Sequence, residues 1–162
     1  VSPGRVLYFV EQLKKYTDVP VTYCDNYIYW TNKLKEVAEA VDIISVHSYP
    51  VWVGKDIKEA VEVCKQEYDM INDLYPDKQV IITETGWPTR SNDREIKKSK
   101  ANQVNQLYYY DQIHRWSEKK KITTFFFEAF DEFWKGSHNV DEPEKHWGFY
   151  FTDRTPKIVK HK

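Results

Sequence analysis

The chain has 162 residues, with 24 basic and 25 acidic side chains and a formal charge of −1. That near balance leaves no electrostatic footprint for nucleic acid or for an anionic membrane surface, and no apolar run approaches the roughly 18 residues needed to span a bilayer. The length is one domain's worth, and the aromatic share is high at 16%, with six Trp and twelve Tyr. Such rings suit an apolar core and also surfaces that recognise flat amphipathic ligands.

Ser2 and Pro3 form a helix start, and Val6, Phe9, Val10 and Leu13 fall on one face of the helix that follows. Residues 19–25 (VPVTYCD) read as a strand. Leu34, Val37, Ala38 and Val41 mark a second amphipathic helix, and residues 42–50 a second strand. Asp56 and Glu59 have the spacing of a capping box. The helix they open carries Ile57, Val61, Cys64, Tyr68 and Ile71 on one side. Residues 79–84 (QVIITE) form a third strand, about 99–119 a helix with Tyr109, Ile113 and Trp116 on one side, and 122–130 (ITTFFFEAF) a fourth strand. Cys64 on its apolar face reads as a buried thiol; with Cys24 it makes neither a disulfide framework nor a metal pattern.

Nearly continuous apolar strands alternating with helices predict an α/β fold with a parallel sheet covered on both faces, either doubly wound or a (β/α)8 barrel. No glycine-rich phosphate fingerprint follows any strand. Polar and aromatic residues instead gather just past the strand ends: Asp25, Asn26 and Tyr27; His47, Tyr49 and Trp52; Glu84 and Trp87; Asp131, Glu132, Trp134 and Lys135. A barrel keeps its active site there. Strand alternation predicts that Ile82 and Glu84 point together, as do Glu128, Phe130 and Glu132. An isolated strand-end glutamate reads best as an ion pair or a helix cap. Four strand ends decorated alike favour a site in which paired carboxylates cleave a glycosidic bond between aromatic platforms. On these residues alone, Glu84 and Glu132 pair as acid and nucleophile.

ITETGWPTR (82–90) resembles the signature of glycoside hydrolase family 17, the β-1,3-glucanases and their relatives, and VPVTYCDNYIYW, DIISVHSYPVW, FFFEAFDEFWK and EKHWGFYFTDRTPK resemble further family segments in order. The resemblance implies a retaining (β/α)8 barrel of which this chain supplies helix four to strand eight and the C-terminal segment. It implies Glu84 as the nucleophile at the end of strand seven, with Glu132, Lys135 and Glu144 as charged neighbours; Glu132 becomes an accessory group rather than the acid. Tyr49 and Trp52 match cleft-lining aromatics, with Phe130, Trp134 and Trp147 as further candidates and Asn26 as a polar contact. Trp87 either packs beneath the nucleophile or touches sugar.

The family's general acid belongs at the end of strand four, upstream of Val1. Four strands are also half of what a barrel of roughly 250 residues needs, and they leave two open edges. The expectation is therefore a fragment, 1–162, that pairs with an N-terminal half-barrel in the same or another chain and has little activity alone. A β-1,3-glucan is the expected substrate, with no cofactor and no metal. A transglycosylase and a non-catalytic glucan-binding module are the alternatives, and the resemblance favours a secreted, periplasmic or cell-surface setting.

Overall fold

The computed structural model describes residues 1–158. In chain order the elements are α1 (Pro3–Lys14), β1 (Thr22–Asn26), α2 (Tyr27–Trp30), α3 (Lys35–Ala40), β2 (Ile43–Ser48), α4 (Ile57–Leu74), β3 (Gln79–Thr85), α5 (Gln103–Lys120) and β4 (Thr124–Phe126), with short 3-10 turns at Pro50–Val53 and Pro143–Lys145. The strands form one sheet in the order β1-β2-β3-β4, every pair parallel. Right-handed crossovers of this β–α type place each new strand beside the last.

The helices follow from local chemistry. In α4, Asp56 and Glu59 form the expected capping box, with the Asp56 amide donating to Glu59 Oε2 at 3.3 Å. Its Val61, Cys64, Tyr68 and Ile71 are all buried. Asn102 caps α5 by accepting from the Asn105 amide at 2.9 Å, so that helix begins later than the sequence pattern implies. Tyr109 and Ile113 are buried, and Trp116 packs edge-on against Tyr68, 5.4 Å between centroids. In α1 only Val6 and Val10 are buried, whereas Phe9 and Leu13 are 51% and 55% exposed. The apolar stripe there is wider than the surface it meets: α1 packs mainly on α3, with Leu7 partly buried beside Val6 and Val10.

The helices cover one face of the sheet. Ser48 donates to Glu67 of α4 at 2.6 Å, and the Thr85 hydroxyl lies 2.8 Å from Tyr109 Oη of α5. Ile44 and Val46 share the parity of Ser48 and are buried with it. The alternate row, with Cys24, Asn26, Ser45 and His47, faces the other way, and Cys24 is exposed. Cover on both faces is therefore corrected. Among the described residues the second face carries no helix, as in one wall of a barrel.

Past β4 the chain makes a long excursion that returns through a parallel bridge of Phe130 with Tyr150. The strand predicted over 122–130 is only Thr124–Phe126, and a cis peptide joins Phe127 to Glu128. Lys157 fastens this excursion to the sheet. Its side chain is fully enclosed, and its ammonium donates to Asp131 Oδ1 and to Thr89 Oγ1, both at 2.7 Å. Gly86 permits a very close approach: a Cβ there would lie 2.2 Å from the Phe127 carbonyl oxygen.

Candidate active site

Glu84 sits at the C-terminal end of β3, and a β-bulge decides where it points. β2 and β3 pair Val46 with Ile82 and then His47 with Glu84, so the register slips by one and Thr83 is the extra residue. Ile82 consequently lies with buried Val46 on the helix side, while Glu84 lies with His47 on the open side. Regular alternation predicted Ile82 and Glu84 on one face; the extra residue corrects that. Glu84 reaches the open face because the strand is irregular.

The Glu84 carboxylate is held through one oxygen. Tyr49 Oη donates to Oε2 at 2.9 Å, and His47 Nδ1 lies 3.4 Å from the same atom. Burial, and then the negative charge of Glu84, raise the Tyr49 phenol well above its ordinary pKa. Tyr49 is therefore a permanent donor. Its ring stands edge-on to Trp147 at 5.1 Å and to Phe127 at 6.2 Å, and Trp52 tilts against Trp147 at 5.9 Å. Trp147 is itself buried, so it backs Tyr49 and Trp52 and does not present a face of its own.

A second charged group stands beside this wall. Lys135 Nζ is 2.8 Å from Glu128 Oε2, in close contact with Glu132 Oε2, and 4.3 Å above the Phe127 ring. Burial raises the Glu128 carboxyl to about 7, with Lys135 opposing the rise and Glu132 adding to it. Burial works against the Lys135 ammonium, but Glu128 and Glu132 outweigh it and hold its pKa above the usual value. Glu144 is also raised by burial, with Lys135 opposing, and it feels the charge of Glu84. The charges of Glu144 and Glu128 add to that of Glu84 in raising the Tyr49 phenol.

The remaining expected residues divide. Asn26 lies across the sheet from His47, with its side-chain carbonyl accepting from the Ile28 amide at 3.1 Å, so it caps α2. Phe130 packs on Tyr150 and Trp134 on Phe133, and both are largely exposed on the β4 excursion, outside the Tyr49–Trp147 wall. Trp87 is resolved in favour of packing: it is buried against Tyr109, 5.5 Å away, and donates to the Lys100 carbonyl. Asp131 leaves the site altogether, bound to Lys157. The pairing of Glu128 with Lys135 and the contact of His47 with Glu84 were missed. The only signal for either was parity with Glu132 or position at a strand end. A cavity of about 700 Å³ between Arg90, Phe133, His146 and Phe151 does not include Glu84. Glu84 lies on the open face of the sheet, beside His47.

The chain as a whole resembles known proteins. Residues 5–148 match the BtgE/BtgC glycoside hydrolase domain. The chain belongs to that family. Among curated relatives of this BtgE/BtgC-type domain, a glucan 1,3-beta-glucosidase of Arthroderma benhamiae is 32% identical over 133 residues, covering 73% of this chain and 42% of the relative. A cell surface mannoprotein of Candida albicans is 28% identical over 160 residues, covering 92% of this chain and 39% of its own. An endo-laminarinase from Formosa Hel1_33_131 superposes with a TM-score of 0.88 at 25% identity, over 98% of this chain and 52% of that one. The glycoside hydrolase family 17 β-1,3-glucanosyltransferase of Rhizomucor miehei gives 0.84 at 25% identity, over 98% and 57%. The BtgE/BtgC-type chain thus spans about two-fifths of the curated relatives and about half of the solved structures. Its fold is α/β, half of a (β/α)8 glycosidase barrel, in agreement with the motif resemblance.

Proposed function

We propose that residues 1–162 are the nucleophile-bearing, C-terminal half of the catalytic barrel of a retaining glycosidase acting on β-1,3-glucan. The observation that carries this reading is the Glu84 carboxylate, turned by the Thr83 bulge onto the open face and gripped there by Tyr49 Oη at 2.9 Å. Glu84 attacks the anomeric carbon and forms a glycosyl-enzyme ester, which water then hydrolyses. The general acid is supplied from the other half of the barrel. Without it the leaving alkoxide is poor, and roughly 10²–10⁴-fold in rate is lost. Residues 1–162 in isolation therefore turn over little.

Tyr49 and Trp52 border the sugar groove, with Trp134 and Phe130 as outlying platforms and Asn26 at its edge. Glu132, Lys135 and Glu144 maintain the electrostatics around the nucleophile. A glucan transglycosylase shares every one of these residues and differs in the acceptor that resolves the ester. The likeness to a glucanosyltransferase supports keeping that outcome in the test.

The test uses the full-length polypeptide that contains this half-barrel and a 2-deoxy-2-fluoro-glucosyl probe of a laminari-oligosaccharide. Mass spectrometry should find the covalent label on Glu84, released by water or by an added acceptor sugar. Turnover of laminarin with the label on another residue would defeat the assignment.

A further inference from the structure

The two oxygens of Glu84 are not equivalent. Tyr49 Oη and His47 Nδ1 both address Oε2, and Oε1 accepts no hydrogen bond from any described residue. Two acceptors at this distance would repel, so the imidazole nitrogen facing a carboxylate oxygen carries its proton and acts as the donor. At 3.4 Å the contact is long for a hydrogen bond, as expected of a catalytic contact that tightens when substrate is in place. The other ring nitrogen, Nε2, is buried and has no partner, so among the described side chains Glu84 is the group that fixes the ring. The register slip falls between Val46 and His47, and it is this slip that sets His47 directly across from Glu84. In an unbroken ladder His47 would face Thr83.

Resting on the assignment of Glu84 as nucleophile, we propose that His47 is a positioning residue that, together with Tyr49, holds Oε2 and thereby selects Oε1 as the oxygen that bonds to sugar. In the first step Oε1 gives an electron pair to the anomeric carbon while the bond from that carbon to the departing sugar oxygen breaks. That oxygen keeps the pair and takes the proton of the general acid, a carboxylic acid outside residues 1–162. Oε2 becomes the ester carbonyl, still facing Tyr49 and His47. In the second step a water oxygen bonds to the anomeric carbon and its proton returns to the conjugate base of that acid. The electron pair of the bond to Oε1 goes back to Glu84. Charge reappears on the carboxylate as it leaves, so donors on Oε2 stabilise the second transition state more than the neutral ester. His47 therefore controls how long the glycosyl-enzyme lives.

The experiment compares His47→Asn with His47→Leu in the full-length protein. The two side chains have nearly the same shape, and only Asn keeps an N–H where Nδ1 stands. Each variant is labelled with the 2-fluoro probe, freed of excess, and followed as it regains activity in buffer. Counting labelled molecules alone makes the rate constant independent of the fraction folded. Reactivation should be about tenfold slower in His47→Leu than in wild type, and within about threefold of wild type in His47→Asn. Equal slowing of both variants, or no slowing of either, overturns the proposal. A wild-type protein that takes up no label on Glu84 removes the nucleophile assignment itself, and with it this inference.

Discussion

Replacing Glu128 by Gln removes a carboxyl that folding places in an unfavourable setting. Burial lifts its pKa from 4.5 to about 7 although Lys135 lies 2.8 Å away, and the side chain is only 15% exposed, so solvent screens it little. A carboxyl with a raised folded-state pKa binds more protons folded than unfolded, so stability falls as pH rises between the two values. The interval from 4.5 to about 7 corresponds to at most about 3 kcal/mol. Glu132 shares Lys135, so the titration belongs to the cluster and not to one group. Gln cannot titrate, and Lys135 retains Glu132. Urea denaturation of wild type and Glu128→Gln at a series of pH values from 4.5 to 8 should therefore show the variant gaining relative stability with rising pH. The gain should be complete near pH 8 and amount to about 1–3 kcal/mol. A stability difference that stays flat over this range would refute the reasoning.

Three further outcomes follow from the same geometry. Lys157→Met strands the Asp131 carboxylate in a buried position and should cost about 3–5 kcal/mol in chemical denaturation, with much of the loss recovered in the Lys157→Met/Asp131→Asn double variant. Equal stability of single variant and wild type would contradict the role given to Lys157. Gly86→Ala forces a Cβ to within 2.2 Å of the Phe127 carbonyl, so β3 and the chain past β4 must separate, lowering the melting temperature and activity together. Tyr49→Phe removes the 2.9 Å donor to Glu84 and should lower kcat on laminari-oligosaccharides about 10-fold to 100-fold. A change confined to KM would place Tyr49 in binding alone.

Much of the fold was legible because its signals are periodic. The α4 helix declared itself through Val61, Cys64, Tyr68 and Ile71 and through the Asp56–Glu59 box, and the structure buries each of those apolar residues. Motif and strand-end position singled out Glu84 and Tyr49, and the structure brings the two side chains within 2.9 Å of each other. What escaped was long-range geometry. Nothing local marks Thr83 as an extra residue, yet its insertion turns Glu84 away from the face that alternation assigns to it. The 122–130 run looks like a full strand, but only Ile82–Thr124 and Thr85–Phe126 pair, and the Phe127 carbonyl then closes on Gly86. Glu128 read as one member of a parity row, and its partnership with Lys135 exists only once the β4 excursion folds back. Asp131 read as a site residue beside Glu132, although Lys157, 26 positions later, claims it.

The central claim is that Glu84 bonds covalently to sugar, and nucleophile rescue tests it most directly. In the full-length protein, Glu84→Gly should lose turnover of an aryl β-laminarioside almost completely, and added azide should restore release of the aryl group. The account predicts a product of α configuration, because azide enters from the side that Glu84 has vacated. Rescue giving the β-azide, or a Glu84→Gly protein that works without azide, would contradict it.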